Sequence, residues 1–355
     1  MRSKPTCAPG SDDLTGAADD RAAVGAAVWA DRRAALWAGP DRPSGERSNL
    51  LHSPRLRGAV ERATRWWKVV TVQESRRGRA GAAAIAALAS RLTERDQRVA
   101  LACYEHRVLT TEQLRRLYFS APRRARRRLA LLYELRVLDR FRPARQPGQG
   151  SAQHHWILDE AGAHVVAAQL GVERAELRFR HQAALGIFGS QKLDHQLEVN
   201  EFFTRLAEDA RQAGGRLLEW WGERRCLAAL EGRVAPDGYG KLLLPGRRPV
   251  SFVLELDRGS EDHGRLRQKA RRYDKTLPRS PLADEEPLLL ITVPSQERRD
   301  NAAAALAGSE LPIRVAVWTQ ERSPLAIVRD ILDDIHPDTY DERSLDLAPL
   351  PAPDD

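Results

Sequence analysis

The sequence predicts an α+β protein built from two folded segments, and three observations support this class. Apolar residues recur at helical spacing over 94–134, two short β-rich runs follow at 137–141 and 155–158, and strands then alternate with helices from 190 onward. The 355 residues also exceed the length of one typical domain. We therefore expect a largely disordered leader over 1–90, folded domains over 91–172 and 190–322, and a disordered tail over 337–355.

The composition excludes several classes of protein. Apolar residues make up 42% of the chain, which is too many for a wholly disordered protein. No apolar run approaches the roughly 20 residues of a membrane span, and residues 1–30 lack the pattern of a secretory signal. The three cysteines, Cys7, Cys103 and Cys226, are too far apart for a disulfide framework or a zinc knuckle. These features predict a cytoplasmic protein with no membrane partner.

The first folded domain is predicted to consist of three helices followed by a strand hairpin. Thr93 is placed to cap the first helix, and Thr111 is placed to cap a second helix that ends near Tyr118. The third helix begins near Pro122, and its Ala125, Leu129 and Leu132 share one face. Three helices and a hairpin form the arrangement of a winged helix-turn-helix domain, whose third helix reads the DNA major groove.

The positive charge of the chain is concentrated in this domain. The formal charge is +8, but 91–150 alone carries fifteen arginines and six acids, a net +9, so the other 295 residues sum to −1. Such a concentration predicts binding to double-stranded DNA, although an arginine-rich helix can also simply face solvent. The candidate DNA-binding residues lie on the second and third helices and in the loop between the hairpin strands: Arg115, Arg116, Arg123, Arg124, Arg126, Arg127 and Arg145.

The second folded domain reads as a mixed sheet covered by helices. A long amphipathic helix is predicted to end at Gly214-Gly215. Strong strands follow at 250–257, 288–293 and 313–318, with helices between them.

Three acids in this domain suggest a metal site. Asp237 follows Pro236 at a hairpin start, and Glu255 and Asp257 share one face of the next strand because they are two residues apart. Converging carboxylates suit Mg²⁺ or Mn²⁺, which can polarise a phosphate and generate hydroxide. The alternatives are that strand-end acids mark solvent and that Pro-Asp-Gly is an ordinary turn.

Three sequence blocks resemble the replication-relaxation family, which includes plasmid proteins tied to DNA relaxation and mobilisation, among them MOB-C-type relaxases. The resemblance covers about 90–320, and its blocks are Asp194-His195-Gln196-Leu197-Glu198-Val199-Asn200-Glu201-Phe202-Phe203, Pro236-Asp237-Gly238 and Phe252-Val253-Leu254-Glu255-Leu256-Asp257-Arg258-Gly259. The resemblance implies a winged helix followed by a restriction-endonuclease-like α/β domain of the PD-(D/E)XK type, with a mixed central sheet.

The resemblance also implies roles for individual residues. Asp237 matches the first acid of the nuclease pattern and Glu255 the second, and the pattern then expects a lysine where this chain has Asp257. A lysine from the following helix can take that place, and Lys269 is the candidate, the alternative being an ordinary solvent-exposed helix lysine. The candidate catalytic residues are therefore Asp237, Glu255 and Lys269, and the candidate metal ligands are Asp237, Glu255, Asp257 and Glu198. For Glu198 the alternative, a capping or surface role, is the favoured one.

Two functions fit these observations. One is a DNA-binding protein of a plasmid or mobile element that acts in replication, relaxation or mobilisation and nicks DNA with a metal. The other is a transcriptional or replication regulator whose nuclease-like domain is degenerate and serves dimerisation or contacts with plasmid replication or transfer proteins. The retained Asp237 and Glu255 favour the first, and Asp257 at the lysine position favours the second. A weaker third hypothesis is a DNA-packaging or structural factor.

Overall fold

The computed structural model describes residues 91–143, 152–188, 192–259, 262–309 and 311–335, together with Leu88 and Ser190. The predicted leader, apart from Leu88, lies outside the described residues, as do the predicted tail and Arg145. The described part of the chain is a mixture of helices and strands, in agreement with the predicted α+β class. None of its helices combines the length and the apolar character that crossing a membrane requires.

The helices and the hairpin predicted over 91–172 are present, and we call residues 91–188 the helical lobe. Its elements are α1 (Glu94–Glu105), β1 (Leu109–Thr110), α2 (Thr111–Tyr118), α3 (Pro122–Glu134), β2 (Leu138–Phe141), β3 (His155–Leu158), α4 (Glu160–Gln169) and α5 (His181–Leu185). Strand β3 lies between β1 and β2 in a three-stranded antiparallel sheet. The predicted face of α3, formed by Ala125, Leu129 and Leu132, is buried in the core of this lobe.

Helix α2 begins one residue earlier than predicted, because Thr110 rather than Thr111 is its N-cap. The Thr110 hydroxyl accepts from the backbone N–H of Gln113, and the Gln113 side chain accepts from the backbone N–H of Thr110. The Thr111 hydroxyl instead accepts a hydrogen bond from the indole N–H of Trp156, 2.9 Å away. A contact distant in sequence therefore decides which threonine caps the helix.

The predicted mixed sheet is also present, in a part of the chain that we call the sheet lobe (192–335). Its elements are α6 (Lys192–Gln212), β4 (Arg216–Gly222), α7 (Glu223–Ala229), β5 (Gly238–Leu243), β6 (Val250–Leu256), α8 (His263–Thr276), β7 (Leu288–Val293), α9 (Gln296–Leu306), β8 (Ile313–Val317) and α10 (Pro324–Ile335). The strand order is β4-β5-β6-β7-β8, antiparallel from β4 to β6 and parallel from β6 to β8. Helices α6 and α10 cover one face of the sheet, and α8 and α9 cover the other.

The two lobes meet where α6 packs against the turn between α1 and α2, a contact that we call the lobe junction. The amide nitrogen of Asn200, a fully buried residue of α6, donates to the backbone carbonyls of Val108 (2.6 Å) and His106 (3.3 Å). The rings of His106 and Trp220 stack with centroids 3.4 Å apart, and Phe203 stacks near Trp220 at 5.1 Å. Buried carbonyls need donors, so this one side chain stabilises the turn against α6.

We predict that Asn200→Ala destabilises the protein, because it leaves the buried carbonyl of Val108 without a donor, whereas the carbonyl of His106 still accepts from the backbone N–H of Val108. The free energy of unfolding should fall by about 2 kcal/mol, since each unsatisfied buried group costs roughly 1–3 kcal/mol. Urea unfolding followed by circular dichroism measures this change. Gln212→Ala, at an exposed position of the same helix, is the control and should have little effect. Equal stabilities of the two variants would contradict the role of Asn200.

Candidate active site

Two acids predicted from the sequence lie beside each other on neighbouring strands, and we call them the carboxylate pair. Asp237 immediately precedes β5, and Glu255 lies near the end of β6. The strands are antiparallel, with Gly238 opposite Leu254, and the backbone N–H of Asp237 donates to the carbonyl of Leu254 over 3.0 Å. The register therefore brings together two carboxylates that are far apart in the sequence.

Glu255 is buried and holds two partners from α8. The Lys269 Nζ donates to Glu255 Oε2 over 2.5 Å, and the hydroxyl of the buried Tyr273 donates to Oε1. Burial and the nearby charge of Asp237 raise the pKa of Glu255 to about 8, although Lys269 acts in the opposite direction. The sequence-based candidate Lys269 thus contacts the second acid directly, and Tyr273 is a contact that sequence reasoning missed.

Asp237 is held by α6 and by the strand next to it. His195 Nε2 lies 2.8 Å from Asp237 Oδ1, and the backbone N–H of Leu256 donates to Oδ2 over 2.8 Å. The hydrogen bond to Asp237 raises the pKa of His195, so the imidazolium is favoured at this position. Sequence reasoning gave His195 no physical role. The sequence shows that His195 lies one helical turn before Glu198, but only the fold shows that its partner is Asp237.

The other two proposed metal ligands, Asp257 and Glu198, each form an ion pair with an arginine. Asp257 Oδ2 accepts from Arg298 Nε (2.8 Å) and Nη2 (2.6 Å), and its Oδ1 accepts from the backbone N–H of Gly259. Glu198 Oε2 lies 3.2 Å from Arg258 Nε. Glu255 and Asp257 do face the same side of the sheet, since their partners come from α8 and α9. Within the described ranges, no three His, Cys, Asp or Glu side chains form a group that could hold a metal ion.

Six of the seven predicted DNA-binding arginines are among the described residues, and they fall into two groups. The first group is exposed on α3, makes no ion pair to another described residue, and consists of Arg123, Arg124, Arg126 and Arg127. The second group, Arg115 and Arg116, lies on α2 beside α6, where Arg115 pairs with Glu208 (2.7 Å) and Arg116 pairs with Glu201 (2.6 Å). The side chains of Arg115 and Arg116 are 17% and 16% exposed. The structure thus gives Arg115 and Arg116 intramolecular partners, whereas the four arginines of α3 are exposed.

A cavity of about 460 Å³ lies between the lobes, at the carboxyl ends of β6 and β7. Gln113 and Arg116 line it from the helical lobe, and Glu198, Asp257 and Arg258 line it from the sheet lobe. The carboxylate pair, Asp237 and Glu255, does not line this cavity.

The sequence matches the replication-relaxation family over residues 102–280, half of the chain. The chain therefore belongs to this family, and membership points to a role in the replication or relaxation of plasmid or mobile-element DNA. The matched range includes α2, α3, the lobe junction, both acids of the pair and Lys269. No curated protein and no solved structure matches the chain.

We predict that the buried Glu255 makes stability depend on pH. The carboxyl titrates near its ordinary 4.5 when unfolded and its pKa is about 8 when folded, so the native state binds the extra proton between these values. The free energy of unfolding should therefore fall as the pH rises from 5 to 8, whereas Glu255→Gln remains neutral and escapes this loss. We expect the stability of the variant relative to wild type to increase across this range by on the order of a few kcal/mol.

Urea unfolding at several pH values in EDTA measures the effect. Glu297→Gln, at an exposed position of α9, is the control and should give a curve parallel to wild type. A curve of Glu255→Gln that also runs parallel to wild type would show that Glu255 titrates normally in the folded protein.

Proposed function

We propose that this protein binds duplex DNA through the helical lobe and nicks it at the carboxylate pair, in the replication, relaxation or mobilisation of a plasmid or mobile element. The observation that carries the proposal is the contact of Lys269 with Glu255, beside Asp237. This contact supplies two acids and a lysine in one place, although Asp257 occupies the position where the nuclease pattern has its lysine. Lys269 reaches the pair from α8, the helix that follows the second acidic strand.

Asp237 and Glu255 are the residues that would hold Mg²⁺ or Mn²⁺, since both are carboxylates on adjacent strands. Asp257 and Glu198 fit a metal poorly, because each already neutralises an arginine. The bound ion would polarise a phosphate and lower the pKa of a water molecule. Its charge would also favour ionised Glu255 and release Lys269 to contact the scissile phosphate. Because Lys269 is one-third exposed, it can reach a ligand outside the protein.

The helical lobe supports the DNA-binding half of the proposal. Three helices, a hairpin and a third short strand have the order and pairing expected of a winged helix. Helix α3 would then enter the major groove, and its exposed arginines would pair with guanine edges or phosphates. Because these arginines make no ion pair to another described residue, they could bind DNA without breaking such a contact in the protein.

One observation favours the alternative, a non-catalytic regulator. All four carboxylate oxygens of the pair already have partners in the protein: His195, the backbone N–H of Leu256, Lys269 and Tyr273. A metal would have to displace at least one of them. In a regulator, the same contacts would serve only to compensate the buried Glu255 and the half-buried Asp237.

We predict that purified protein with Mg²⁺ or Mn²⁺ converts supercoiled plasmid to open circles. Asp237→Ala and Glu255→Gln should abolish the conversion, and Lys269→Met should slow it by on the order of a hundredfold, since it removes a charge that stabilises the transition state. Lys241→Met is the matched control, because Lys241 also pairs with a glutamate of this lobe, Glu285, at 2.7 Å. Gel electrophoresis of timed samples gives the rates.

The regulator would give a different pattern. Wild-type protein would bind plasmid with or without metal, and no open circles would form above the level of the Asp237→Ala variant. This result would exclude the nicking half of the proposal and leave DNA binding intact.

We predict that Arg123→Ala combined with Arg127→Ala weakens DNA binding and its salt dependence. Loss of two phosphate contacts should reduce the slope of log K against log salt by about 2. Fluorescence anisotropy with a labelled duplex at several salt concentrations measures both quantities. The control combines Arg98→Ala with Arg174→Ala, which removes two arginines already paired with Glu94 and Glu160. If both double variants matched wild type, α3 would not be the DNA-binding helix.

A further inference from the structure

Helix α8 presents an almost entirely basic face to solvent. Between His263 and Thr276 the helix has six basic residues and one acid. Its apolar Leu266, Ala270 and Tyr273 pack against the sheet. Five of the basic residues are exposed, and we call them the α8 basic surface: Arg265, Arg267, Arg271, Arg272 and Lys275.

Among the described residues, an ion pair neutralises only one of these five side chains, Arg265, whose Nε lies 3.5 Å from Asp262 Oδ2. The acid of the helix, Asp274, accepts hydrogen bonds from the Ser309 hydroxyl and the backbone N–H of Leu311. Arg267, Arg271 and Lys275 make no ion pair to another described residue. These three follow one another at four-residue spacing, and like charges at that spacing destabilise a helix. An anionic partner would relieve the repulsion.

The α8 basic surface adjoins the carboxylate pair. Lys269, which contacts Glu255, lies four residues after Arg265 and three before Arg272, so these three side chains share one side of the helix. Arg272 also donates to the backbone carbonyl of Arg233, in the loop that leads to Asp237. A ligand bound along α8 would therefore extend to the acids.

We propose that the α8 basic surface is a second DNA-binding surface, which holds the phosphate backbone of the strand next to the carboxylate pair. The chemistry favours a phosphate backbone, since four of the five residues are arginines, whose planar guanidinium groups bind phosphate through two parallel hydrogen bonds. The linear run of charge along the helix also suits a linear polyanion. This inference rests on the proposed DNA-binding function, but it involves residues of the other lobe.

The test compares the full-length Arg267→Ala plus Arg271→Ala variant with wild type by fluorescence anisotropy, using a labelled 30-base-pair duplex. Loss of two phosphate contacts should lower the salt slope by about 2 and weaken binding roughly tenfold or more at moderate salt. The matched control, Arg248→Ala plus Arg329→Ala, removes two exposed arginines from the β5–β6 turn and from α10, on the opposite face of the sheet from α8. Circular dichroism checks that the variants fold.

The outcomes separate this inference from the proposed function. If wild type does not bind the duplex, the proposed function fails. If Arg123→Ala plus Arg127→Ala weakens binding while the α8 variant matches wild type, only the α8 surface is excluded. If the α8 variant loses affinity for a poly-glutamate chain as strongly as for DNA, the surface is a general anion site and the assignment to a phosphate backbone is wrong.

Discussion

The hydrogen bonds from Asn200 to the turn between α1 and α2 are the constraint on which the two-lobe arrangement depends. They give the buried carbonyl of Val108 its donor and the carbonyl of His106 a second one, which holds the turn against α6. The same helix carries His195, which binds Asp237, and it packs Phe202 and Phe203 against the sheet. One helix therefore fixes the first acid of the candidate site and the attachment of the helical lobe.

The other contacts of the candidate site compensate the charges of its three acids. A carboxylate that is buried or half-buried is unfavourable unless cations or hydrogen-bond donors compensate it, and the three acids of this site have different partners. Glu255 has Lys269 and Tyr273, Asp237 has His195 and a backbone N–H, and Asp257 has Arg298. Asp257, at the position where the nuclease pattern would have a lysine, pairs with Arg298 of α9, and the lysine that contacts Glu255 belongs to α8.

The arginines can be separated in the same way, by whether an acid of the protein compensates their charge. Arg115 and Arg116 pair with acids of α6, whereas the exposed arginines of α3 make no ion pair to another described residue. The net charge counted along the sequence indicated a single basic segment, because the basic residues of α8 were summed together with acids elsewhere in the chain. In the fold these charges are separated. Asp274 accepts hydrogen bonds from Ser309 and Leu311, and the arginines of α8 are exposed to solvent.

The sequence by itself determined the elements: the three helices and hairpin, the buried face of α3, the mixed sheet, and the acids Asp237 and Glu255, because hydrophobic period and turn chemistry are local properties. Only the tertiary structure decided which side chains meet. It chose Thr110 over Thr111 as the cap through Trp156, paired Arg115 and Arg116 with α6, and brought His195 and Tyr273 to the two acids. Contacts of this kind join residues far apart in the chain, and strand register and helix packing, rather than local spacing, set their distances.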